Sequence, residues 1–357
     1  MMNFNIYAFN FLWQDLPWVI KLIIIFISIF LISAVCFFIA ILWIRIYKIY
    51  RNKKKREQQL LLIDFLNSFI FDEDFDKELE IQNFKKDHLK SSLEIKVTIK
   101  EILHFHENLK GESATELEYL FKRLGLIDFT LRDLNKGSWF TTARAINALS
   151  ELSIEVPIHK IDPYLNESRN EVRQQSQLYF LKLSVSNPLQ FLDKTVRPLT
   201  TWQQIYIENA LKNFYKGEAP DFSQWLYHDL LSVVEFSIRM VARYNQFEHI
   251  DKILPFLEHE NDIIKCEAIK SLTLLEYQEL SPLISPNFNS RPRILKLEIL
   301  DAIKAQGIYE DLQKIGEQIL PTDWEFRIKY LNIEQGFAPD KKDQIYSQFI
   351  MEKKLGI

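Results

Sequence analysis

The sequence predicts an all-α protein, one membrane-spanning helix followed by a solenoid of stacked helical hairpins. Three observations predict it. A bulky apolar residue recurs at Trp139, Val172, Trp202, Val234, Ile264, Ile294 and Trp324, at intervals of 30 to 33 residues, which is the period of stacked helical pairs. An apolar span runs from Val19 to Ile44 with Lys21 as its only charge. Glycine is scarce, 8 residues in 357, which disfavours turn-dense β architectures and glycine-rich phosphate loops.

Residues 1–17 form a short aromatic N-terminus (Phe4, Tyr7, Phe9, Phe11, Trp13) expected at the outer membrane interface. Residues 18–44 are the expected membrane helix. Its core, Leu22 to Leu42, is 21 residues, roughly 31 Å of helix against a hydrocarbon layer of about 30 Å. Trp18 and Trp43 stand at its ends as an aromatic belt would place them, and Lys21 is close enough to one end to snorkel. The stretch is too long for a signal-peptide core, and no small-residue cleavage site follows it.

Residues 45–110 are read as a basic juxtamembrane and helical linker. It opens with Arg45, Lys48, Arg51, Lys53, Lys54, Lys55 and Arg56, with no acidic residue among them. Before the span the only charge is Asp15. The positive-inside rule then puts the N-terminus outside and the rest in the cytoplasm, at the inner (cytoplasmic) membrane. The basic run is expected to meet anionic lipid headgroups. Residues 57–357 carry 36 basic and 47 acidic residues, a net charge of −11, which argues against nucleic-acid binding. The two cysteines, Cys36 in the span and Cys266 in a later helix, form no disulfide framework.

Leu60 to Ile70 suggest a helix continuous with the span or bent away from it. The acidic run Asp72–Glu80 lacks the glycine of a calcium loop and reads as a solvated helix start. Residues 91–109 predict a helix ending near Gly111. Ser113 and Glu116 predict a capping box opening a helix to about Arg123, and Leu126–Leu134 a further short helix. From 111 to 340 the expectation is the solenoid, with a polar tail over 341–357. Its second helices are placed at Trp139–Leu152, Val172–Leu183, Trp202–Phe214, Val234–Tyr244, Ile264–Leu275, Ile294–Lys304 and Trp324–Ile333. Its first helices are announced by Pro163, Pro188, Pro220, Pro255 and Pro282 in or before their opening turns.

The unit resembles the HEAT repeat. The residues that carry the likeness are Pro163, Leu165, Val172, Arg173 and Ser176 in one unit, and Pro255, Leu257, Asp262, Ile264, Lys265 and Ala268 in another. The motif is degenerate: one unit keeps Val-Arg, Tyr206 replaces a small residue, and Glu298 breaks the register unless it slips to Leu295 and Ile299. The resemblance implies a right-handed α-solenoid lined by the second helices. It also implies a structural role for Arg173, bonding neighbouring units.

No nucleophile, phosphate-loop or metal signature occurs. His104 and His106 diverge on a helix, His249 and His259 flank a first helix, and Cys266 reads as a small core residue. The recurring tryptophans read as core. Neither catalytic residues, metal, cofactor nor small-molecule substrate is expected. Five positions after each apolar marker, an outward strip of Arg144, Gln177, Ile207, Arg239, Ile269, Ile299 and Lys329 is expected, with Arg243 one turn beyond Arg239. Arg144, Gln177, Arg239, Arg243 and Lys329 are the candidate partner-binding residues. The function expected is a non-enzymatic, single-pass scaffold or adaptor that docks a protein partner. The alternative is an accessory or regulatory subunit of a membrane enzyme, such as a glycosyltransferase or polysaccharide-synthesis system. A third class, an enzyme acting on DNA within the groove, is disfavoured by the acidity.

Overall fold

A computed structural model describes residues 17–338 apart from 136–137, 185–186, 216 and 321–322, together with 343, 344, 347, 350 and 351. The aromatic stretch 1–16 and most of the expected tail 341–357 lie outside the described residues. Among the described residues every regular element is helical. The chain divides into two compact units, 1–129 and 130–357.

The first unit is built on α1 (Trp18–Phe71), a single helix of 54 residues, about 81 Å long at the standard rise. No glycine or proline lies within it, so nothing interrupts its hydrogen-bond ladder. It is therefore continuous with the span, without a bend into a separate helix. Its apolar half is unburied, and it is the one helix among the described residues long and apolar enough to cross a membrane. Its distal turns change character: Leu62, Leu66 and Phe69 are fully buried. They pack with α2 (Lys77–His88) and α3 (Ser92–Asn108), followed by α4 (Glu112–Arg123). Phe65 stacks on Phe84 with ring centroids 4.4 Å apart.

Capping fixes the entries of these helices. The Asp76 carboxylate accepts the Leu79 amide, so the acidic run does open a helix. Ser91 and Glu94 form a reciprocal capping box at the start of α3. The expected Ser113–Glu116 box is absent: α4 begins two residues earlier, with Gly111 as its N-cap at φ 68°. Ser113 therefore lies inside the first turn, and Glu116 pairs with Lys77.

The helix α5 (Leu126–Leu134) precedes a row of seven long helices. These are α6 (Trp139–Glu151), α7 (Asn170–Leu183), α8 (Thr201–Phe214), α9 (Leu231–Arg243), α11 (Asp262–Leu274), α13 (Arg293–Gln306) and α15 (Trp324–Phe337). Each begins and ends within four residues of its sequence prediction. Sequential members of the row pack side by side, with α8 and α9 joined through Gln204–Arg239 and Glu208–Arg243.

The first helices differ from expectation. They shrink to 3₁₀ turns over Asp162–Asn166, Gln190–Lys194, Phe222–Trp225 and Leu254–Glu258, with the short α10 (Ile250–Ile253) and α12 (Leu280–Ile284). A ten-residue α14 (Tyr309–Gln318) stands out among them. The cause is proline density. Pro157 and Pro163, Pro188 and Pro198, or Pro282, Pro286 and Pro292 bracket segments too short to propagate an i→i+4 ladder.

The marker residues also correct the sequence reading. Trp139, Trp202, Ile294 and Trp324 are 43%, 80%, 51% and 56% exposed, not core. Each is the first or second residue of its helix. Side chains there tilt toward the N-terminus and project past the helix end. The buried repeat is instead Thr142, Val172, Gln203, Val234, Ile264, Leu295 and Phe326, the third or fourth residue of each helix and 30 or 31 apart. The slip to Leu295 and Ile299 does occur, as both are buried.

Polar members of this repeat make local hydrogen bonds, although the buried Gln203 Nε2 finds no partner among the described residues. The Thr142 hydroxyl donates to the Leu134 carbonyl at 3.2 Å. The Gln203 side chain accepts the Thr200 amide at 3.0 Å in a second capping box.

Candidate functional site

The row of long helices carries a repeated polar ladder. The ninth residue of one helix meets the sixth of the next in three successive rungs. Arg239 Nε bonds Glu267 at 2.8 Å, Lys270 Nζ pairs with Glu298 at 3.5 Å, and Lys329 Nζ pairs with Asp301 at 2.8 Å. Contacts advance in the same direction along both helices from Arg293–Glu325 to Asp301–Lys329 and from Gln204–Arg239 to Glu208–Arg243, so α13 and α15, and α8 and α9, run parallel. In the last rung the signs are exchanged, which preserves the attraction.

Further bridges extend the pattern, Lys182–Glu151 at 2.8 Å between α7 and α6 and Arg243–Glu208 between α9 and α8. Arg239 is the most connected member. Its three nitrogens reach Glu267, Glu235 and the Gln204 amide oxygen at 2.8, 2.8 and 2.9 Å. Burial works against its charge, but Glu267 and Glu235 outweigh that and hold its pKa above the ordinary guanidinium value.

Between α11 and α13 the ladder borders an open groove of about 610 Å³, lined among others by Lys270, Thr273, Glu276, Glu298, Asp301 and Gln306. Burial raises the Glu298 carboxyl above its usual range against the pull of Lys270. Burial and the nearby Glu298 push the Cys266 thiol up to about 11, so it is a poor nucleophile. Among the described residues no group of three or more His, Cys, Asp and Glu side chains is placed to hold a metal ion.

The candidate partner-binding residues divide accordingly. Arg239, Arg243 and Lys329 are rungs between helices, and Arg144 is exposed with its guanidinium 5.6 Å from the Phe140 ring. Gln177, Ile207, Ile269 and Ile299 are buried, so the expected outward strip does not exist as one surface. The recurring apolar markers lie on two helix faces, exposed in some units and buried in others, so positions five residues beyond them share no single face. Correct register makes the ladder visible in sequence, as opposite charges 28 residues apart that repeat every 31 (Arg239/Glu267, Lys270/Glu298, Asp301/Lys329). Arg173 bonds the Glu167 and Ser168 carbonyls and Asn170, all within its own unit, where neighbouring-unit bonds were expected.

On α1, Trp18 and Trp43 are exposed, with Lys21 between them, about 38 Å apart along the helix at the standard rise. Arg45, Lys48, Arg51, Lys53 and Arg56 are exposed and Lys55 is half-buried. Lys54 turns into its own unit and pairs with Glu94 at 3.1 Å. Burial opposes the Glu94 charge, but the Ser91 amide and Lys54 keep its carboxyl below the usual range.

These features define a class: an all-α protein of sequentially packed helix pairs with one long, unburied apolar helix at its N-terminus. No known family model matches the chain. Nor does any curated protein sequence. Among solved structures the chain is similar to one titled "Crystal Structure of Engineered Protein. Northeast Structural Genomics Consortium Target OR329", with 11% identity over 67% of this chain and 94% of that one, and a TM-score of 0.23.

Proposed function

We propose that this protein is a single-pass, membrane-anchored scaffold whose HEAT-like, right-handed solenoid faces the cytoplasm and docks a protein partner. The observation that carries the reading is α1. One uninterrupted helix leads from an unburied apolar half into the buried core of the first unit. An apolar surface of that length is costly in water and stable in hydrocarbon. The basic collar Arg45–Arg56 follows at the depth of the inner headgroups, each cation contributing on the order of 1 kcal/mol on an anionic surface. The row of helices supplies an extended surface, and tethering raises the partner's local concentration at the membrane.

The test uses full-length protein in its native membrane. The expected result has four parts. The protein stays in the membrane pellet after alkaline washing, and a C-terminal tag is shielded from protease in intact cells. A protein partner is recovered by crosslinking, and recovery survives exchange of residues 18–44 for an unrelated membrane helix. Release by alkali, an accessible tag, or no partner above control each overturns a named part of the reading.

A further inference from the structure

The tips of the long helices present a rim that the scaffold reading leaves unused. At α6–α9 this rim carries Trp139, Phe140, Val196, Trp202 and Leu231, all exposed. Side-chain contacts join it into one strip. The Arg169 guanidinium lies 5.8 Å from the Trp139 ring. Asn166 accepts the Val196 amide at 2.9 Å and the Arg197 Nε at 2.8 Å. The Leu199 amide bonds the Ser232 hydroxyl at 2.9 Å, bringing the α9 tip alongside.

We propose that this rim docks on the lipid interface, with Trp139, Val196 and Trp202 entering the headgroup–acyl boundary and Arg169 and Arg197 meeting lipid phosphates. The proposal rests on the reading that α1 lies in a bilayer, which confines the second unit near that surface. Its chemistry is complementary to a headgroup layer. Tryptophan offers an apolar body with a polar N–H suited to the interface, and arginine forks match phosphate. The α6, α7 and α8 N-termini add partial positive charge. Glu167 is the carboxylate that meets Arg197, and Glu171 is exposed at the α7 tip; both oppose the lipid charge. Trp139 and Phe140 share the α6 tip, Val196 and Trp202 flank the start of α8, and Leu231 opens α9. A deformable bilayer accommodates side chains that project from several helix starts.

The experiment uses the full chain with Cys36→Ala and Cys266→Ala, in nanodiscs of phosphatidylcholine and phosphatidylglycerol. A thiol fluorophore is placed in turn by Trp43→Cys, Val196→Cys and Leu274→Cys, and nitroxide-bearing phosphatidylcholine is the quencher. Val196 is 70% exposed on the rim, and Leu274 is 58% exposed at the far end of α11. The expected result is quenching at 43 and 196 with 274 unaffected. Arg169→Gln and Arg197→Gln should each lower the docked-to-free ratio about fivefold. Quenching at 43 alone refutes the rim and leaves the anchor standing. No quenching at 43 refutes the anchor and the rim with it. Equal quenching at 196 and 274 refutes a specific rim. Shielding of 196 in native membranes but not in pure-lipid nanodiscs assigns the rim to a protein and overturns the lipid proposal.

Discussion

Arg239→Met removes the best-connected rung of the ladder while retaining an apolar stem of similar length. Three bonds are lost, to Glu267, Glu235 and Gln204, each within 2.9 Å. Glu235 and Gln204 have other options, since Glu235 is only partly covered. Glu267 does not, because its side chain is 9% exposed beneath an arginine that is itself 19% exposed. Stranding that carboxylate should cost about 2–3 kcal/mol, between the loss of a charged hydrogen bond and the breaking of a fully buried pair. Lys270→Met is the internal comparison. Its partner Glu298 is 3.5 Å away and the lysine is 54% exposed, so the cost should not exceed about 1 kcal/mol. The double variant Arg239→Met/Glu267→Met has no stranded charge and should recover to within about 1 kcal/mol of the native protein.

The assay is urea unfolding of the full-length protein in detergent, followed by near-ultraviolet circular dichroism. With a urea m-value of about 2–3 kcal/mol/M, the Arg239→Met midpoint should fall by about 1 M. If Arg239→Met shifts no more than Lys270→Met, or if the double variant is as unstable as the single, the ladder is surface decoration and the argument fails.

Two further outcomes follow from the corrected register and from the groove. Trp202→Ala should leave the midpoint within about 0.5 kcal/mol of native because the side chain lies outside the core, whereas Ile264→Ala should cost about 2–4 kcal/mol; thermal or urea unfolding separates them, and equal effects would return both residues to one face. Glu298→Gln should stabilise the protein at pH 7 and lose that advantage on acidification. The sign is set by the raised folded-state pKa: ionised Glu298 carries a burial penalty that is full above that pKa and gone below the unfolded value of 4.5. A stabilisation that grows as pH falls would contradict it.

Much of the fold was legible because its causes are local. The seven long helices follow from apolar periodicity and from proline stops, and α1 from a 54-residue stretch without glycine or proline. The candidate site was less legible. Trp202 and Val172 are both bulky and apolar near a helix start, yet one is 80% exposed and the other fully buried. One position of helical phase, about 100°, separates those fates, and the marker spacing did not resolve it. The same uncertainty put buried Gln177 on a presumed outer strip and concealed the pairing of Arg239 with Glu267. Ser113 carries the capping-box pattern yet lies inside its helix, whereas Ser91 and Thr200 form boxes, because a capping box depends on where the preceding chain enters the helix.

By itself the sequence determined that the chain is helical, that its period is about 31 residues, and that an apolar helix precedes an acidic body. These depend on composition and short-range periodicity. The tertiary structure alone decided which face of each helix is buried, and that the first helices of the pairs collapse to single turns. It also decided that three of the basic candidates, Arg239, Arg243 and Lys329, bridge neighbouring helices. Burial and ion pairing are properties of neighbours that lie 28 or more residues away along the chain, and only packing brings them together.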